Sequence, residues 1–237
     1  MSERVSVLVV GVGGIGHPCA LVLAQNPRIE LTILDDDLVE RSNLHRLVAF
    51  TERDLGQRKT VALAAAIEQR CRVKIRCING RFGPENAVDL AKNFALVIEG
   101  TDNFASKFLV ADACFLAGVP VVHGAAVGWA GTVFTALPGE SSCYRCVFED
   151  VPVGDAVDCA TAGVFGPVTS VIGALMASEA TQVLQKNPNV GGSLLSFHGQ
   201  TSNVRRSTFA RRHDCPLCGL QPSIRTIDGD RYLPAHC

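Results

Sequence analysis

The strongest constraint in this sequence is Gly11-Val12-Gly13-Gly14-Ile15-Gly16, set between an apolar run, Val5-Ser6-Val7-Leu8-Val9-Val10, and a helical segment from His17 to Gln25. A second apolar run, Leu31-Thr32-Ile33-Leu34, follows and ends in Asp35-Asp36-Asp37. Strand, glycine turn, helix and parallel strand make a nucleotide-binding βαβ unit, with phosphate oxygens at the helix start, where unpaired N–H groups and the helix dipole favour negative charge. An acid about 20 residues past the turn, here Asp35, is placed to accept hydrogen bonds from a ribose. The pattern points to a nucleotide without saying which one. The competing explanation is a β-α turn that uses glycine only for tight packing.

The rest of the first half continues the same alternation. Val39 to Arg58 is a polar, irregular loop, and Lys59 to Arg70 reads as a helix with Val61, Leu63, Ala64, Ile67 and Ala65 or Ala66 for its buried face. Val73 to Ile78 reads as a strand, Pro84 to Asn93 as a helix with proline in its first turn, and Ala95 to Ile98 as a buried strand. Phe104 to Ala117 is a helix stopped by Gly118, and Val119 to Val122 is the next strand. Repeated β-α-β units call for a parallel sheet covered on both faces. The pattern then changes. Gly131 to Leu137, Ser193 to Phe197 and Val204 to Phe209 read as strands of an antiparallel extension, with a long buried helix at Pro167 to Gln185. The expected fold is a Rossmann-like, doubly wound, mostly parallel α/β sheet with an antiparallel C-terminal extension. One domain is expected over 1–237, comprising a nucleotide-binding half (1–125), an antiparallel and metal-binding half (126–218) and a tail of little pattern (219–237).

Bulk properties narrow the function. A hydrophobic content of 47% in 237 residues fills one sizeable core, and a formal net charge of −1 offers no general attraction to nucleic acid or an anionic membrane. Ala113 to Gly139 and Cys159 to Ser178 carry no charged side chain. The first is interrupted by glycines and prolines and the second reads as a helix inside a globular core, so no membrane span is expected. A cytoplasmic location is the default in the absence of a leader pattern before Val5.

The ten cysteines divide by spacing. Cys143-Tyr144-Arg145-Cys146 and Cys215-Pro216-Leu217-Cys218 are two CxxC knuckles, which together complete a closed, structural tetrahedral zinc site. Cys159 stands apart in Asp158-Cys159-Ala160-Thr161-Ala162-Gly163-Val164, where a helix N-terminus can lower a thiol pKa, although a lone cysteine is more often inert. Cys19, Cys71, Cys77 and Cys114 read as core. Ser42-Asn43-Leu44-His45-Arg46 and Lys59 supply an amide, a guanidinium and an ammonium that could fold over phosphates, or could be a solvated polar loop. Asp102, at the C-terminal end of a parallel strand, could hold Mg²⁺ beside a triphosphate; alternatively Asp102 and Asn103 cap the next helix.

Taken in order, Gly11 to Gly16, Leu34-Asp35-Asp36-Asp37-x-Val39, Ser42-Asn43-Leu44-x-Arg46, Lys59, Thr101-Asp102-Asn103, both CxxC pairs and Ala162-Gly163-Val164-x-Gly166-Pro167 resemble the ThiF/MoeB family, bacterial relatives of ubiquitin-activating enzymes. The resemblance implies an ATP site in which the Gly-Gly carboxylate of a small ubiquitin-fold sulfur carrier attacks the α-phosphate. It implies a cofactor site of Gly11, Gly13, Gly14, Gly16, Asp35, Asp37, Ser42, Asn43, Arg46, Lys59, Asp102 and Asn103. Within it Asp35 binds ribose, Arg46 and Lys59 polarise phosphates, and Asp102 positions Mg²⁺. Structural zinc would sit on Cys143, Cys146, Cys215 and Cys218. On the ThiF side of the family, which this chain resembles more, Cys159 is a candidate nucleophile for a later sulfur-transfer stage. The implied pathway is thiamine thiazole synthesis with a ThiS-like carrier. Alternatives are a molybdopterin carrier of MoaD type, a tRNA-modifying cyclase, a non-catalytic nucleotide-binding protein and an NAD-binding oxidoreductase. Implied partners are the carrier, a second copy in a homodimer, and a sulfurtransferase or cysteine desulfurase. Family members carry an arginine on a helix before the first strand. Arg41 and Arg58 are the candidates to supply that charge here.

Overall fold

In the computed structural model, residues 4–152 and 163–232 are described, and they form an α/β fold around one eight-stranded sheet ordered β3-β2-β1-β4-β5-β6-β7-β8. Strands β1 (Val5–Val10), β2 (Ile29–Asp35), β3 (Arg76–Asn79), β4 (Leu96–Glu99) and β5 (Val121–Val127) run parallel. Strands β6 (Ala130–Ala136), β7 (Ser193–His198) and β8 (Asn203–Thr208) continue the sheet antiparallel, as the change of pattern after β5 anticipates. Helices α1 (Gly16–Leu23), α2 (Lys59–Cys71), α3 (Ala87–Ala91), α4 (Phe104–Ala117), α5 (Tyr144–Phe148) and α6 (Gly166–Leu184) cover the two faces.

The central strand β1 explains the layering. Its side chains alternate, so Val7 and Val9 enter one core with α1, α2 and α6, while Leu8 and Val10 enter the other with α3 and α4. A strand buried on both faces reads as an unbroken apolar run. Strand order reverses beside β1, which pairs with β2 on one side and β4 on the other. The crevice at the carboxyl ends of β1 and β4 is therefore the topological switch point, where doubly wound sheets bind ligands.

Helix ends follow local chemistry. Asn103 caps α4 by accepting a hydrogen bond from the Ser106 N–H at 2.8 Å, and Gly118, at φ +71°, ends it. Pro167 sits in the first turn of α6. Glu179, the buried acid of α6, accepts both terminal nitrogens of Arg206 on β8 at 2.6 and 3.0 Å, tying helix to edge strand.

Three sequence expectations are corrected. The helix expected from Pro84 begins only at Ala87, because the Asn86 side chain accepts from Gly83 N–H and donates to the Arg81 carbonyl, closing a turn over 83–86. On α2, Ala62 is buried and Val61 is exposed, since the Thr60 hydroxyl is buried against the Asn79 side chain and turns Val61 outward. Of the four cysteines read as core, Cys19 and Cys114 are buried, but Cys71 is half-buried at the end of α2 and Cys77 is exposed on β3, whose outer side no strand covers. The tail, as expected, has little regular structure as far as residue 232, one 3-10 turn at Gly229–Tyr232 apart. Ile224 packs beside the second CxxC knuckle, and Tyr232 packs against α4. No helix among the described residues is long and apolar enough to cross a membrane.

The glycine turn gives a direct test of packing. A Cβ on Gly16 would lie 1.8 Å from the Gly11 carbonyl oxygen, whereas one on Gly13 meets nothing within 4 Å. Gly16→Ala is expected to cost ~3 kcal/mol or more, because backbone rather than a flexible side chain must move. Gly13→Ala should leave stability almost unchanged. Equal urea midpoints for the two variants would contradict this account.

Candidate nucleotide site

At the switch point lies a cavity of about 570 Å³, within the roughly 300–1,000 Å³ of small-molecule sites. The glycine turn, the Asp35-Asp36-Asp37 run, the loop carrying Asn43 and Arg46, and the start of α2 line it on one side. The β3–α3 loop, the start of α4 and the last described residues line it on the other.

The turn is held from several directions. Gly11, at φ +79°, donates its N–H to Leu34 O at 2.8 Å and packs against the backbone of Gly100, where a side chain on either residue would crowd the other chain. Asp35, buried at the end of β2, accepts from Val12 N–H through one oxygen and Asp37 N–H through the other, both at 2.8 Å. Burial raises its pKa, opposed by Lys59 and those two N–H groups. Gly13 and Gly14 line the cavity; Gly16 does not and serves packing instead.

The cations are already partnered. Lys59, 7% exposed, places Nζ 2.6 Å from Asp37 Oδ2. Arg46 donates to Asn43 Oδ1, which aims the guanidinium across the cavity beside Gly14. Ser42 turns outward to Glu40 at 3.3 Å and lies outside the cavity. Arg41 pairs with Glu52, and Arg58 donates to the Asp36 carbonyl; neither lines the cavity. The additional arginine that does is Arg81, whose Nε lies 2.6 Å from Asp36 Oδ2. No motif marked Arg81 in the sequence, because it belongs to a short loop brought in by β3.

Across the cavity, Asp102 is exposed and pairs with no other described side chain, whereas Asn103 uses its side-chain oxygen as the α4 cap. The loop before them rests on Glu99, which is fully buried. Glu99 accepts from the Thr101 N–H at 2.7 Å and its hydroxyl, from Lys107 at 3.0 Å, and faces His123 Nδ1 at 3.1 Å. Burial opposes the Glu99 charge, yet Lys107, His123 and Thr101 together bring its pKa down to about 2. A fixed carboxylate thus organises the Asp102 loop from below. Gly100 and Arg81, which line the cavity, and Glu99, which holds the Asp102 loop, are features that sequence reasoning missed; Gly100 lies two residues past the predicted strand that ends at Ile98, the one available hint.

The four knuckle cysteines converge. Cys143, Cys146, Cys215 and Cys218 are buried, with Cys143 Sγ 3.5 Å from Cys215 Sγ and Cys146 Sγ 3.3 Å from Cys218 Sγ. Four thiols within 4.8 Å of one another, too far apart for disulfides, suit one tetrahedral zinc ion with no open position. Cys159 lies outside the described residues; Val164, a few residues on, lines the cavity and bridges to Gly128.

This fold defines an α/β domain with a ligand-sized crevice at its switch point and a cluster of four thiols that could hold a metal ion. A ThiF family signature matches residues 2–217, and the chain belongs to that family. It is 36% identical over 227 residues to an "Adenylyltransferase and sulfurtransferase MOCS3" of Dictyostelium discoideum, covering 94% of this chain and 53% of that protein. It is also 36% identical over 233 residues to a "Sulfur carrier protein adenylyltransferase" of Thermus thermophilus, covering 95% of this chain and 86% of that one. The chain thus spans about half the length of its MOCS3 relatives. The crystal structure of E. coli MccB with ATP superposes with a TM-score of 0.77 over 91% of this chain and 66% of that one, at 22% identity, a likeness of fold.

Two outcomes follow. His17, buried at 0% exposure, has Nδ1 2.7 Å from the Gly13 carbonyl, and burial lowers its pKa from 6.5 to about 4. The unfolded chain therefore binds the extra proton first, and stability is complete above pH 6.5 and declines as pH falls towards 4, by about 3 kcal/mol from this residue. Chemical denaturation at stepped pH should show a shallower decline in His17→Gln. Separately, elemental analysis is expected to find one zinc per chain, and chelation to lower the melting temperature; a metal-free chain with an unchanged transition would refute the clamp.

Proposed function

We propose that this chain, as a single adenylyltransferase domain, uses ATP to adenylylate the C-terminal Gly-Gly carboxylate of a small ubiquitin-fold sulfur carrier. The observation that carries this reading is the convergence of Asp35, Asn43, Arg46, Lys59 and Asp102 around the glycine turn in one cavity. The names of the sulfur-carrier relatives support it.

In this reading the triphosphate lies along Gly13 and Gly14 at the start of α1, and the ribose hydroxyls meet Asp35. Asp35 keeps acceptor capacity after binding two backbone N–H groups. Lys59 exchanges Asp37 for a phosphate oxygen, and Arg46, oriented by Asn43, takes another. Asp102, exposed to the cavity and unpaired among the described residues, would hold Mg²⁺, which supplies charge neutralisation on the phosphates. The carrier carboxylate, already ionised, attacks the α-phosphorus; the bond from that phosphorus to the bridging oxygen breaks, and pyrophosphate leaves with the electron pair. No general base is required. Positioning and charge stabilisation are the chain's contribution.

The carrier is proposed to be ThiS-like, in thiamine synthesis, with a MoaD-type carrier as the alternative. Cys159 is proposed as a thiol nucleophile in later sulfur transfer, with a sulfurtransferase or cysteine desulfurase as donor. A cytoplasmic homodimer, acting on neither nucleic acid nor membrane, completes the proposal.

ATP–pyrophosphate exchange tests it. Exchange is expected only with a Gly-Gly-tailed carrier present, and Lys59→Ala and Asp102→Ala should each lower it by about 100-fold or more. Cys159→Ser should leave exchange intact and block thiocarboxylate formation. Running ThiS-type and MoaD-type carriers side by side decides the pathway, and exchange that ignores both would sink the proposal.

A further inference from the structure

The most C-terminal described segment, a 3-10 turn over Gly229–Tyr232, lines the same cavity as the glycine turn although more than two hundred residues of chain separate them. It bridges the two flanks of the cavity's apolar end. Gly229 sits beside Pro84 of the β3–α3 loop, and the buried Tyr232 belongs to the same core cluster, and lines the same cavity, as Leu34, Phe82 and Leu109. The Tyr232 hydroxyl donates to Asp112 Oδ2 at 2.7 Å. Asp112 is fully buried on α4, one turn beyond the cavity-lining Leu109, and is gripped by Arg145 through Nε at 2.9 and 3.0 Å and Nη2 at 2.9 Å. Arg145 is itself buried, stacked over Phe108 at 4.9 Å, and lies between the two cysteines of the first knuckle.

The cavity is chemically polarised. Gly13, Gly14, Asn43, Arg46 and Lys59 supply its cationic and N–H-rich lining, and Leu34, Phe82, Pro84, Leu109 and Tyr232 an apolar slot; Asp35 ends β2, which lies in the sheet between β1, leading into the glycine turn, and β3, leading into the Phe82 loop. A nucleotide with phosphates at the cationic lining and ribose at Asp35 can place its flat, apolar base only in that slot. We infer that Tyr232 is the outer wall of the base subsite and a specificity-determining residue for the nucleotide, held in place by Arg145 through Asp112. The inference rests on the nucleotide reading proposed above and adds what no motif in the sequence carries, a base contact from the C-terminal strap positioned by the cysteine knuckle. The named slot residues present ring faces and methylenes, and Arg81, beside Phe82 in the chain, is tied to Asp36, so discrimination comes from shape and the loss of the wall should fall on binding.

Calorimetric titration of ATP and GTP into the full chain, with exchange kinetics beside it, tests the assignment. Tyr232→Ala is expected to weaken ATP binding about 10-fold and narrow the preference for ATP over GTP, raising KM while leaving kcat within about 2-fold. Tyr232→Phe keeps the ring but releases the Asp112 anchor, and should lose only about 3-fold. Photolabelling of the unaltered chain with 8-azido-ATP, mapped by mass spectrometry, should mark the 229–232 peptide, which keeps the test independent of whether a variant folds. Wild-type ATP affinity in Tyr232→Ala, or labelling confined to other segments, overturns this inference and leaves the nucleotide reading standing. Failure of the unaltered chain to bind ATP at all overturns both.

Discussion

The structure depends on one close backbone approach. Gly11 O lies where any Cβ on Gly16 or Gly100 would press against it, and the Asp35 carboxylate fastens the turn from the side by accepting the Val12 and Asp37 N–H groups. This contact brings the ends of β1, β2 and β4 to one point and aims the start of α1 into the crevice between them. Bulk there would separate the strands. Every other cavity residue is delivered by an element whose position is set by this junction.

Charge placement follows from that geometry. Two of the cavity's cations rest on its own acids, Lys59 on Asp37 and Arg81 on Asp36, while Arg46 is steadied by the Asn43 amide. Such pairs keep long side chains oriented, and Asp37 spares the buried Lys59 ammonium from standing unpaired. Glu99 has a different role. Its charge is locked below the floor by Lys107, Thr101 and His123, so it shapes the Asp102 loop and has little freedom to exchange partners.

The second half of the chain works as a brace. The antiparallel strands extend the sheet, and four converging thiols join the segment after β6 to the segment after β8. Arg145, enclosed by one knuckle, satisfies a fully buried aspartate on α4, which would otherwise be an unpaired charge in an apolar core. Through that aspartate the clamp reaches the cavity-facing tyrosine of the tail. The thiol cluster and the cavity are thus joined by packed side chains, though their residues lie far apart in the chain.

The α/β alternation, the glycine turn with its acid, the α4 boundaries and the paired CxxC motifs were legible in the residues, because each rests on local periodicity, capping or ligand spacing. Sequence alone therefore determined the parallel sheet with its antiparallel extension, the tight glycine turn and the pairing of the thiols into one cluster. Tertiary structure alone decided that Gly16 packs while Gly13 and Gly14 line the cavity, that Ser42, Arg41 and Arg58 lie outside it, and that Arg81, Gly100 and Tyr232 line it. The reason is physical: a local pattern specifies which conformation a segment prefers, but which side chains share a crevice depends on strand order and on how helices settle across the sheet, and neither is written in neighbouring residues.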